Sequence, residues 1–167
     1  MYRKFTIILL LIYLISCEKS PVIKSKAELL QQNAWYLSET HIVSYDNNNN
    51  QVLKDTIVKS ETCEINSTLR FINDTACSKY ISCGFVTPTE KQGKWKLTND
   101  SLLTVTISVQ IQNGGSIFFA NAGIDQAKLI EIINDHFIVK RIENWFSISA
   151  GSVVEYRNEI SLTYKSK

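Results

Sequence analysis

Proline is almost missing from this chain, with two in 167 residues, while aromatic and β-branched residues are plentiful. That balance excludes a proline-rich disordered segment and favours a folded, β-rich domain. Histidine is nearly as scarce, with only His41 and His136. There is no His-x-x-His, no cysteine pair at metal-ligand spacing and no Ser/His/Asp motif, so neither a metal site nor a cofactor is expected. Gly114-Gly115 is no phosphate loop, because no helix follows a strand there. The sequence therefore predicts no enzyme. An excess of positive charge is missing too. Once Arg3 and Lys4 are set aside as targeting charge, basic and acidic residues balance at 16 each, which argues against a nucleic-acid partner.

What is present begins at the N-terminus. Arg3 and Lys4 precede the apolar run Phe5–Ile15, long enough for a secretory signal and too short to span a bilayer as a helix. The run ends Leu14-Ile15-Ser16-Cys17, an aliphatic residue, a tolerated one, a small one and then cysteine. This pattern predicts a lipoprotein signal peptide over 1–16, cleavage before Cys17, and a lipid on the Cys17 thiol. Two or more acyl chains hold a protein stably on a membrane, at about 0.8 kcal/mol per buried CH₂. Residues 17–25 read as a lipidated tether. Glu18-Lys19-Ser20 lacks an acidic run for surface export, so the expected address is the periplasmic face of a bacterial outer membrane.

Residues 26–167 make a single domain by size. Ser25 followed by Glu28 forms a capping box for a short helix whose Leu29 and Leu30 would plug one end of a barrel. From Trp35 onward the apolar period is two. Val52–Lys59 reads as a second strand, and Leu103, Val105, Ile107, Val109 and Ile111 read as one half-buried strand. Asn73-Asp74, Asn99-Asp100 and Asn134-Asp135 each separate two strand-like runs, and both residue types tolerate the positive φ of tight hairpins. About eight to ten strands joined by hairpins predict a small up-and-down antiparallel barrel, since closure removes both sheet edges.

With Cys17 lipidated, Cys63, Cys77 and Cys83 remain. A hairpin centred on Asn73-Asp74 sets Cys63 opposite Cys83 within one residue, inside disulfide range. Cys77 then faces Leu69 and shares a side with Ile65 and Phe71, as a buried small hydrophobe.

Cys17, Leu29-Leu30, Trp35, Cys63, Phe71, Cys83 and Gly93-Lys94-Trp95 occur in this order, followed by Asn99-Asp100 and Phe137-Ile138-Val139. The arrangement resembles the lipocalin-like lipoproteins of Gram-negative envelopes. It departs at Asn33-Ala34-Trp35, where glycine is usual, and at the extra Cys77. The resemblance implies a calycin-type barrel and says little about ligand.

The expected function is binding of a small apolar or amphipathic ligand, because eight-stranded barrels enclose just enough space for one. The alternative is a protein-interaction module, an inhibitor or accessory subunit, with a side-chain-filled barrel. Parity continues the inward face of Trp35 and Leu37 through Glu39 and His41, and that of Phe137 and Val139 through Arg141. Glu39, His41 and Arg141 are therefore candidates for orienting a ligand at the barrel mouth, unless a β-bulge turns them outward. Asp55-Thr56-Ile57, Asp74-Thr75-Ala76 and Asp100-Ser101-Leu102 resemble the acceptor triplet of a periplasmic O-glycosylation system, at Thr56, Thr75 and Ser101. Turn chemistry alone also accounts for two of the three.

Lipidation is directly checkable. Replacing Cys17 by Ser should leave an unprocessed precursor that no longer partitions into detergent, measured by phase separation and intact mass. Normal processing and partitioning of the variant would rule the anchor out.

Overall fold

The computed structural model describes residues 23–82, 88–113, 116–149 and 152–167. In chain order the elements are α1 (Lys26–Gln31), β1 (Ala34–Asp46), β2 (Val52–Lys59), α2 (Thr62–Asn66), β3 (Thr68–Phe71), β4 (Ala76–Ile81) and β5 (Thr89–Thr98). They continue as β6 (Leu102–Thr106), β7 (Ser108–Asn113), β8 (Ser116–Asn121), β9 (Ile124–Ile132), β10 (His136–Ser149) and β11 (Ser152–Ser166). Eight strands form a closed antiparallel barrel in the order β1-β3-β4-β5-β6-β9-β10-β11, closed by β11 against β1. β2 adds to β1 as an extra strand, and β7 and β8 make a separate hairpin. The expected all-β barrel with a short N-terminal helix is the observed one.

The three Asn-Asp turns lie at one end of the barrel, and α1 closes that end. Ser25 caps the helix, with Glu28 bonded back to the Ser25 N–H at 2.6 Å, and Leu30 is fully buried. The segment holds all three turns. Lys26 Nζ donates to the Asp100 carbonyl at 2.8 Å, Gln31 Nε2 to Asp74 Oδ1 at 3.3 Å, and Asn33 Nδ2 to the Asn134 carbonyl at 2.7 Å. The turns differ locally. Asn99 and Asp100 both take φ 51°, the left-handed pair of a tight hairpin. At the β3–β4 turn Asn73 Oδ1 instead accepts from the Thr75 and Ala76 N–H groups.

That Asx geometry corrects the register. The turn centres on Asp74, pairing Phe71 with Cys77 and Leu69 with Lys79, so Cys77 does not face Leu69. Cys63 is not on a strand either. It lies in α2, where Glu64 Oε2 accepts the Glu61 N–H at 3.3 Å and Ser67 Oγ donates to the Cys63 carbonyl at 2.8 Å. These local bonds stabilise a helical turn over a strand, and Ile65 within it is exposed. The cross-strand derivation of a Cys63–Cys83 bridge therefore does not apply, and Cys83 lies outside the described residues.

The run from Leu103 to Ile111 is likewise not one strand. It breaks at Ile107, whose N–H is taken by Asn121 Oδ1 at 2.9 Å while Asn121 Nδ2 donates to the Val105 carbonyl at 3.2 Å. β6 stays in the barrel and β7 leaves to pair with β8.

Aromatic rings fill the helix-closed half of the barrel. Trp35 meets Phe137 edge-on at 5.0 Å, Phe71 meets Trp95 at 4.9 Å, and Tyr164 stacks on Phe137 at 4.6 Å. The Gly-x-Trp motif has a steric origin. A Cβ on Gly93 would lie 2.4 Å from the Thr106 carbonyl oxygen and 2.5 Å from Ile107 Cγ1. Gly93→Ala must push backbone aside and should cost about 1–3 kcal/mol. A melting temperature lowered by several degrees, without loss of β-sheet circular dichroism, is the expected result. An unchanged melting temperature would contradict this packing.

Candidate functional site

The other half of the interior is not filled. A cavity of about 220 Å³ lies above the aromatic layer. Its apolar wall comes from Trp35, Leu37, Leu69, Ile81 and Ile124, and its polar groups from Glu64, Ser67, Lys79 and Tyr164. Strand alternation explains the composition. Cys77, Lys79 and Ile81 share the inward parity of β4, so the apolar wall carries one lysine.

Lys79 Nζ donates to the Ala122 carbonyl at 2.7 Å, which anchors the chain just before β9. Burial lowers the Lys79 pKa, and the nearby Glu64 carboxylate works against that shift. Burial also pushes the Tyr164 hydroxyl up to about 12, with Arg141 pulling it down and Glu64 adding to the rise. Cys77, a free cysteine with 0 % exposure below the cavity, is pushed up to about 11 by burial. Its thiol is a core group, as expected.

The three ligand candidates read from parity are not brought together. The β1–β11 register skips Ser38, whose Oγ donates to the Thr163 carbonyl at 3.0 Å. This bulge hands the inward face to Thr40 and Ile42, which pair with Leu162 and Ile160. Glu39 and His41 are thereby turned to the outer face, and His41 Nε2 lies 2.7 Å from Asp55 Oδ1 on the neighbouring strand. Arg141 keeps inward parity, opposite Ile160, with Nη2 bonded to Glu143 Oε1 at 2.9 Å. It stands beside the cavity and does not line it. Thr75 is exposed on the β3–β4 turn, Ser101 is half-buried in the β5–β6 turn, and Thr56 is half-buried on β2. Cys17 lies outside the described residues.

Lys79, Glu64, Ser67 and Tyr164 were missed from sequence. For Lys79 the readable signal was the period of two itself, because a residue at even spacing from Cys77 on the same strand shares its inward face. Among the described residues no three His, Cys, Asp or Glu side chains gather as metal ligands, and no helix is long and apolar enough to cross a membrane.

The fold and cavity define a small closed antiparallel β-barrel, plugged at one end and holding a mixed apolar–polar cavity at the other. Comparison with protein-family models, with curated proteins and with solved structures finds no match for this chain.

The buried acids give a pH prediction. The Cys77 thiol ordinarily ionises near 9.0 and the Tyr164 hydroxyl near 10.0, whereas folding holds them near 11 and 12. Between about pH 9 and 12 the folded state therefore keeps protons that the unfolded state has lost, and stability falls as pH rises. Lys79, lowered from 10.5, acts in the opposite sense. A Cys77→Ala/Tyr164→Phe double variant should show a flatter decline in denaturant midpoint from pH 9 to 11 than the parent. Equal slopes would show that neither group is held protonated by the fold.

Proposed function

We propose that this chain is a lipid-tethered envelope protein that holds a small apolar or amphipathic ligand inside its barrel, in the manner of the lipocalin-like lipoproteins it resembles. The observation that supports this reading is the cavity of about 220 Å³, with an apolar wall and a few convergent polar groups. The lipid on Cys17 and a position on the periplasmic face of the outer membrane belong to the same proposal. So does a Cys63–Cys83 bridge, supported by the finding that Cys63 is not a free thiol. The reading requires no catalysis, since the cavity can act by retention alone.

A second reading rests on a different observation. Beyond the barrel, β10, β11, β1 and β2 continue as a four-stranded sheet, one face of which exposes Ile142 at 60 % and Phe146 at 64 %. That surface suits contact with a protein, with the barrel as its scaffold.

Native mass spectrometry of the membrane-extracted full chain separates the two. A retained small molecule, lost when a bulky residue fills the cavity at Ile124→Trp, supports ligand binding. A bare chain that takes up no small amphiphile overturns it.

A further inference from the structure

β2 pairs with β1 alone, so its other edge has no strand beside it among the described residues. The direction of its backbone groups follows from one bond. Ser60 N–H donates to the Ser38 carbonyl at 3.0 Å, and the β1–β2 register runs without a shift from there through Val58, Thr56 and Lys54. Antiparallel pairs alternate between bonded and non-bonded, so Asp55, Ile57 and Lys59 aim their N–H and C=O groups away from β1. Among the described residues nothing bonds those amides and carbonyls.

The middle of this edge is not guarded. Edge strands ordinarily resist further pairing through a proline, a bulge or a well-placed charge. Thr56-Ile57-Val58 is instead a β-branched run, with Ile57 58 % and Val58 49 % exposed, and the shift in its register with β1 lies past Lys54. Asp55 and Lys59 flank Ile57 on the same face, one of each sign.

That order of charges selects the occupant. A twofold axis normal to the sheet lays β2 antiparallel against a copy of itself and pairs residues of the same parity. Centred on Asp55, the pairing sets two carboxylates face to face, which repel. Centred on Thr56, it sets Asp55 against Ile57 and Leu53 against Lys59, with each charge facing an apolar group. Centred on Ile57, it sets Asp55 of each copy opposite Lys59 of the other and Ile57 against Ile57, with Thr56 against Val58 on the reverse face. The free backbone groups of Asp55, Ile57 and Lys59 then bond to one another in register. Only this alignment matches charge with charge and apolar group with apolar group.

We propose that the free edge of β2 pairs with a second copy of this chain, antiparallel across a twofold axis at Ile57. The sheet β10-β11-β1-β2 then runs on into its counterpart. The contact is independent of any ligand in the cavity and differs from the Ile142/Phe146 face.

The test follows the oligomeric state of the processed full chain in detergent micelles, by sedimentation velocity over a range of protein concentrations. A concentration-dependent dimer is expected. Ile57→Lys places like charges on the axis and should abolish it. Lys59→Asp sets carboxylates opposite each other and should weaken it at least tenfold. Adding Asp55→Lys to Lys59→Asp exchanges the two signs and should restore dimerisation to within a few-fold of the parent. If the charge variants do not fold, as checked by circular dichroism, Ile57→Cys decides. Mild oxidation should link two Ile57→Cys copies through position 57, whereas Leu53→Cys, comparably exposed but facing Glu61 of the other copy, should not link. A parent chain that stays monomeric at every concentration overturns the proposal and leaves the edge to a segment of another protein. A dimer indifferent to Ile57→Lys and Lys59→Asp overturns it as well, and moves the contact to another face.

Discussion

Barrel closure depends on Trp35, which is bound on every side by a different part of the chain. Its backbone lies between β11, through Ser166, and β3, through Leu69, so the first strand joins the last to the rest of the sheet at this point. Its ring is fully buried against Phe137, and its Nε1 donates to the Leu30 carbonyl at 2.7 Å, tying the plug helix to the barrel wall. A buried indole needs such a partner for its N–H, and here the bond also fixes where α1 sits. Only Ala34 and Trp35 of β1 pair with β3. Above them the same edge of β1 turns to β2. Closure therefore occurs at the aromatic end, and the opposite end stays open enough to hold a cavity.

The bulge at Ser38 follows from this division. β1 must serve the barrel at its start and a projecting four-stranded sheet further along, and one extra residue re-aims it between the two tasks. The face exchange brings Thr40 and Ile42 inward and frees His41 to meet Asp55 outside. The inner surface above the cavity is thus lined on β1 by Thr40 and Ile42, while the charged groups of the cavity itself are Lys79 of β4 and Glu64 of α2.

Much of the architecture was legible in the residues. The period of two marked the strands, Val52–Lys59 to the residue, and Ser25 with Glu28 marked the helix whose Leu30 is buried. Each Asn-Asp pair is a turn, although only Asn99-Asp100 adopts positive φ at both residues. The misreadings share a cause. Ser38, Asn121 and the Glu61–Glu64 bond each act through side-chain hydrogen bonds to the backbone that redirect it, and no periodicity announces them. Asn121 acts on Ile107 from the far side of a hairpin. The cavity was hidden for a related reason. Glu64 and Ser67 reach it from α2 and its C-terminal end, where the Glu61–Glu64 bond makes a helical turn that no strand period announces.

The plug helix has a mechanical consequence. Tension applied to the chain ahead of Ser25 enters the barrel through α1, which is fastened at Asp74, Asp100 and Asn134 on three separate hairpins and at Trp35 on the closing strand. The load is divided among four attachment points at one rim and does not run along any single strand. Pulling must shear these bonds together before β1 can peel from β11. A leash attached at this end can therefore tug on the molecule while leaving the far, cavity-bearing end undistorted.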